Sequence, residues 1–424
     1  MEFQKIKLHR SEKNRAAVTQ ITLDDDYNVP DYRQDIVKVI KERGELRFDE
    51  VKAMEGAAWI KGSLVFKVLY RSDKQEGKIS CLRGEIPFQE RLNMDGLSEY
   101  DAVHATGDME DLTIGVINSR KLNVRAVIVL TASSEKEVDE ELTCELSDGS
   151  SYEQNIVEKE ALKLLVVRRD ICRQKSEAVL PSSKPNIREI LWQSMQLRNV
   201  ESRLVEGKIR LSGEILVSIL YNDEEEGEHL SWYETTVPLD AQAECGVMED
   251  DCIWQVQMVP LTMELEVKPD YDGEERILVM ELALDTHIRI WKEEKIRLLT
   301  DLYSLQKEVK PVFRECPLER LLVKNAAKCR MTEQMELKED KEKVLQICSC
   351  EGKVLLERQE IKPDGVLAEG TVEVNILYIT PDDHMPVGAV QEIYPFSQLV
   401  EIPEMSAQAK VELDASLEQL SGDA

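Results

Sequence analysis

Long apolar runs are missing from this 424-residue sequence. No window approaches the roughly 18 consecutive apolar residues of a membrane-spanning helix, so none is expected. The start, Met1 to Lys7, lacks the hydrophobic stretch of a secretory signal, and the chain is read as cytosolic at synthesis. Positive charge is short: 54 Lys and Arg stand against 83 Asp and Glu, a net charge of −29. So acidic a surface repels phosphate backbones and anionic lipid, which excludes nucleic acid and membrane insertion and leaves protein partners. Aromatics make up only 5%, too few for an obvious carbohydrate platform. The nine cysteines form no Cys-x-x-Cys pair, a pattern of free thiols rather than a disulfide framework. Gly-rich phosphate loop, His-Glu-x-x-His helix and Gly-x-Ser-x-Gly elbow are all missing, so no enzyme class, cofactor or metal is implied.

What the chain does contain is repetition. Gly62-Ser-Leu-Val-Phe-Lys-Val-Leu-Tyr70, Gly213-Glu-Ile-Leu-Val-Ser-Ile-Leu-Tyr221 and Gly370-Thr-Val-Glu-Val-Asn-Ile-Leu-Tyr378 follow one template. Each tyrosine leads through a charged tip to a proline 17 residues on: Pro87, Pro238 and Pro395. Upstream, Arg15, Arg173 and Arg330 precede Leu23, Leu180 and Leu337, and Gly44 and Gly352 hold matching places. The period exceeds 150 residues, so the unit is a whole domain rather than a solenoid turn. The copies divide the chain into 1–148, 149–305 and 306–424.

Alternation sets the fold class. Leu64, Phe66, Val68 and Tyr70 share one side of an extended strand, as do their counterparts ending at Tyr221 and Tyr378, while the other side is more polar. Period two with one buried face predicts antiparallel sheets, here three tandem β-sandwich-like domains, mainly β. The template glycine marks a kink or bulge, the tyrosine a core anchor with its hydroxyl at the rim, and the proline an edge or bulged strand. A later strand follows Asn118-Ser119-Arg120 and Asp272-Gly273-Glu274. Short helices are expected where Pro30-Asp31 precedes Ile36, Val39 and Ile40, and where Pro185-Asn186 precedes Ile187, Ile190 and Leu191. In the third copy Ser421 to Ala424 stand at the polar turn and the final strand is missing, so the chain reads as a fragment with an open sheet.

The remaining chemical candidates read as structural. Five scattered histidines (His9, His104, His229, His287, His384) read as solvated surface, Cys348-x-Cys350 as ordinary thiols, and the acidic runs Asp24–Asp26 and Asp223–Glu226 as solvated loops.

The Gly-x(7)-Tyr template with its charged tip and Pro-Phe, together with Lys184 to Leu191, Glu266 to Arg276 and Glu110 to Leu122, resembles the SPOCS domain family of spore-forming clostridia. The resemblance implies a non-enzymatic scaffold of the spore coat on the mother-cell side of the forespore, with protein partners and a SpoIVA-like coat ATPase among the candidates. Such proteins typically end in a LysM module, and none is present in this sequence. The rival reading is a cell-envelope binding protein that acts through such a peptidoglycan-binding module.

Overall fold

The structure is a computed structural model that describes residues 2–72, 78–147, 152–224, 229–249, 251–306, 308–335, 343–403 and 405–423, without the side chains of 12–15. Leu337, the side chain of Arg15 and most of the first two charged tips lie outside the described residues. Every regular element is a strand, and the described residues contain no helix.

The first repeat holds β1 (Phe3–Asn28), β2 (Ile36–Met54), β3 (Ala57–Ser72), β4 (Ile79–Asn93), β5 (Val103–Asn118) and β6 (Lys121–Leu146). They form two antiparallel three-stranded sheets, ordered β1-β6-β5 and β2-β3-β4. The second repeat copies this with β7 (Glu153–Val179), β8 (Ile187–Val205), β9 (Lys208–Asp223), β10 (Leu230–Glu244), β11 (Cys252–Pro269) and β12 (Glu275–Tyr303). In each repeat one core is closed between the two sheets. Leu64, Phe66, Val68 and Tyr70 of β3 meet Leu122, Val124, Ala126 and Ile128 of β6, and Ile215 to Tyr221 of β9 meet Leu278 to Ile290 of β12.

The third repeat keeps a single sheet, β13 (Gln346–Lys362), β14 (Gly365–Ile379) and β15 (Val387–Glu401). Residues 308–335 and 405–423, which flank it, form no strand.

The expected short helices are strands, and the reason is specific. Pro30 and Pro181 open hydrogen-bonded turns, with the amides of Arg33 and Lys184 donating to their carbonyls, and β2 and β8 follow directly. Register shifts between Ile36 and Lys38 and between Val39 and Lys41 mark two bulges in β2, and β8 shifts at the matching places. Each bulge adds a residue to a period-two pattern, which produces the apolar spacing of three or four that imitates a helix. The acidic run Asp24–Asp26 is also no loop. It lies exposed within β1, where Asp24 and Asp26 accept from the Asn123 amide of β6.

Candidate docking site

The repeated residues converge on three structural tasks. A Cβ on Gly62, Gly213 or Gly370 would lie 2.3, 2.9 or 2.1 Å from the carbonyl oxygen of Arg47, Arg198 or Leu355 on the adjoining strand. Those strands bulge beside the glycine, at the register shifts between Phe48 and Glu50, Arg198 and Glu201, and Leu356 and Arg358. The kink expected at the glycine therefore belongs to its neighbour, and the glycine leaves room for it. Tyr70, Tyr221 and Tyr378 are buried. The Tyr70 hydroxyl donates to the carbonyl of Gln34 at 3.1 Å, and that of Tyr221 to Pro185 at 3.2 Å, so each pins the loop between the first two strands of its repeat. Burial pushes the Tyr221 phenol up to about 12. Pro87, Pro238 and Pro395 lie in β4, β10 and β15, outer strands whose registers run through without a shift. An outer strand tolerates the lost donor where its N faces away from the ladder.

A second holder of that loop escaped the sequence reading. Arg120, at the polar turn before β6, donates to the carbonyls of Arg33 (2.7 Å), Pro30 (2.9 Å) and Val29 (3.2 Å). Arg276 does the same to Pro181 (2.6 Å), Lys184 (2.9 Å) and Leu180 (3.4 Å). Its signal was an arginine recurring at or just after both polar turns.

The three sheets β2-β3-β4, β8-β9-β10 and β13-β14-β15 meet at a hub built from equivalent positions. Leu69, Leu220 and Leu377 each directly precede the template tyrosine, and Ile79, Leu230 and Val387 each follow it by nine residues. Ile40, Leu191 and Cys348, each the extra residue of a bulge, turn into the same cluster. The first two of these sheets are therefore buried on both faces at the hub, rather than on one. The adjacent Leu-Tyr pair, which breaks the alternation in every copy, is the trace of this in the sequence.

One carboxylate ties the hub together. Glu351 of the third repeat accepts from Lys41 at 3.1 Å and Arg43 at 3.1 Å in the first, and from the Trp192 indole at 3.3 Å in the second. Burial alone raises its pKa, but the charges of Lys41 and Arg43, with the Trp192 and Lys41 hydrogen bonds, outweigh it and hold the carboxyl below its ordinary value. Burial pushes Cys348 up to about 12 and Cys350 to about 11, so both are protonated thiols. The bulge at Cys348 separates them, Cys348 facing the hub and Cys350 the other side of the sheet.

Two histidines expected at the surface lie instead between the first two repeats. The His104 and His287 rings are half-buried with centroids 5.5 Å apart, beside the Arg169–Asp285 ion pair and Glu135. His9, His229 and His384 are exposed.

The face of β13-β15 opposite the hub is the one apolar sheet face left without a partner sheet among the described residues. Val372, Ile376 and Phe396 are only half-buried there, and the face opens on a cleft of about 2490 Å³. Two non-strand segments border the cleft, 318–335 and 405–423. Both stand in for known strands. Gly44 faces Met109 of β5 and the matching Gly352 faces Leu417, so 405–423 takes the place of β5. Ala161 of β7 and Leu318 join one apolar cluster with Leu8 of β1, so 308–335 takes the place of β1 and β7. Among the described residues, nothing occupies the place of β6 and β12 between them.

Three stretches of the chain, residues 35–117, 186–268 and 343–424, match the SipL SPOCS domain model. Each of the first two runs from the first hub strand to the strand before the polar turn, leaving β1, β6, β7 and β12 outside. No curated protein and no solved structure matches the chain. With more than half of its length matched in three copies, the chain belongs to the SipL SPOCS domain family.

Proposed function

We propose that the protein is a non-enzymatic scaffold of bacterial spore coat assembly, which docks other spore-envelope proteins through its β domains from the mother-cell cytosol. The observation that carries this reading is the open apolar face of the third repeat, which the hub packs against two closed repeats. A face of this kind suits adhesion of polypeptide rather than turnover of a small molecule. Membership of the SPOCS family supports a role in sporulation. The strong negative charge favours basic or amphipathic protein partners, and a SpoIVA-like coat ATPase is the first to test. Three joined domains add avidity that no single weak contact supplies.

The test is a fluorescent fusion in sporulating bacterial cells. A ring around the forespore is expected. Diffuse signal throughout sporulation would overturn the proposal.

A further inference from the structure

The first two repeats show what should cover the third. In both, the outer strands of the sheet facing the hub sheet (β1-β6-β5 and β7-β12-β11) run parallel to each other, with one long antiparallel strand between them. That central strand turns alternate apolar residues onto the facing sheet, as Leu278, Met280, Leu282 and Leu284 do from β12. In the third repeat the two flanks keep this parallel sense. Lys328 pairs with Glu418 at 2.7 Å and Glu319 pairs with Lys410, so both segments advance in the same direction. No backbone hydrogen bond joins them among the described residues. Outer strands of a three-stranded sheet stand about 9.6 Å apart, a gap that paired Lys and Glu side chains can bridge. The slot is already framed, and its central ladder is unmade.

We propose that this slot receives one antiparallel β-strand of a partner protein, apolar on the side turned to β13-β15 and acidic where it meets the basic flank. Charge supports the second half. Residues 310–330 hold six Lys or Arg against two Asp or Glu, inside a chain of net charge −29. The equivalent β7 meets acidic residues of β12 across its ladder, in the pairs Lys175–Glu281 at 2.8 Å and Arg169–Asp285 at 2.7 Å. In the third repeat Arg320 and Arg330 make no ion pair among the described residues. Continuity with the interface between repeats supports the first half. Leu8 and Leu142 of the first repeat and Ala161 and Ile296 of the second come in pairs from both strands, whereas the third adds Cys316 and Leu318 from its flank only. A second copy is disfavoured as donor because β6 and β12 are the buried centres of their own sheets and would have to be extracted.

The equivalent cysteines give a direct readout. Cys172 of β7 is buried with its sulfur 3.7 Å from Thr286 of β12, while the matching Cys329 is the one exposed cysteine of the nine. The experiment mixes the 424-residue protein with a synthetic peptide of residues 275–291, the central strand of the second repeat. It follows Cys329 alkylation and amide exchange over 318–335 and 405–423. With the slot filled, both are expected to slow by about tenfold or more. A peptide carrying L278D, L282D and I288D is expected to protect neither. Binding without protection of Cys329, equal protection by the triple variant, or no binding would each overturn the proposal. So would Cys329 protection that tracks dimerisation of the protein alone, since that assigns the slot to a second copy. The inference deepens the docking role proposed above and fails separately from it: a forespore ring with an empty slot would leave the scaffold standing and remove the strand.

Discussion

Glu351 lies within 3.1 Å of Lys41, although 310 residues separate them, and this contact closes the third repeat onto the first. Both side chains are nearly buried, and Arg43 and Trp192 complete the carboxylate's partners. A buried pair owes much of its weight to what happens when one member is removed: the other charge is stranded.

The variant Glu351→Ala is therefore expected to destabilise the hub by about 3–5 kcal/mol, and Lys41→Met in the same background to recover part of it. Limited proteolysis reads this out. Cleavage at the third repeat should rise in the single variant and fall back in the double. Indifference to both changes would mean that the apolar cluster alone holds the repeats together. The sign of the pH dependence follows from the lowered carboxyl of Glu351. Its contribution is complete above the ordinary glutamate pKa of 4.5 and is lost as pH falls through the lower folded value.

Gly62→Ala tests the bulge. Its Cβ would sit 2.3 Å from the Arg47 carbonyl, and backbone cannot yield as a flexible side chain can. A loss of about 1–3 kcal/mol is expected from overpacking, measured as a fall in the denaturation midpoint. Gly115→Ala is the control, because nothing lies within 4 Å of its Cβ position, and a comparable loss there would discredit the steric account.

Much of this was legible before any coordinates. The Gly-to-Tyr template, the buried parity ending at Tyr70, Tyr221 and Tyr378, and the outer strands bearing Pro87, Pro238 and Pro395 follow from spacing alone. What stayed hidden has a common cause. Bulges at Ile40, Leu191 and Cys348 insert a residue into a two-residue rhythm, so β2 and β8 read as short helices, and all three insertions aim side chains at the hub. Glu351, Lys41 and Trp192 come from three different repeats, and no local pattern announces such a meeting. His287 has the polar parity of its strand, but that face turns to a neighbouring repeat rather than to water.

Mild acid should loosen the first two repeats from each other. Burial lowers the pKa of both His104 and His287, with Arg169 the next cause for the first and Arg289 for the second, while Glu135 works the other way on both. A lowered histidine favours the neutral ring in the folded state. Its contribution is therefore present above the ordinary 6.5 and lost as pH falls toward the folded value. The apparent unfolding temperature is expected to drop between neutral pH and pH about 5.5, and the drop should shrink in a His104→Gln, His287→Gln double variant. An equal drop in that variant would move the acid sensitivity elsewhere.

Two side chains hold the loop before β8: Tyr221 at the Pro185 carbonyl, and Arg276 at those of Leu180, Pro181 and Lys184. The variant Tyr221→Phe removes one neutral hydrogen bond and should cost about 0.5–1.5 kcal/mol. Arg276→Ala removes several charge-assisted bonds and should cost about 1.5–3 kcal/mol. Because both act on one short segment, the double variant is expected to lose less than the sum, by roughly 0.5 kcal/mol or more. Strict additivity in that cycle would show that each carbonyl is held independently, and the loop would then be no shared clasp. The phenol adds a second check: raised to about 12 by burial, Tyr221 stabilises the fold below its ordinary 10.0 and loses that contribution as pH rises toward the folded value. The wild-type protein should therefore lose more stability than Tyr221→Phe as pH rises above about 10.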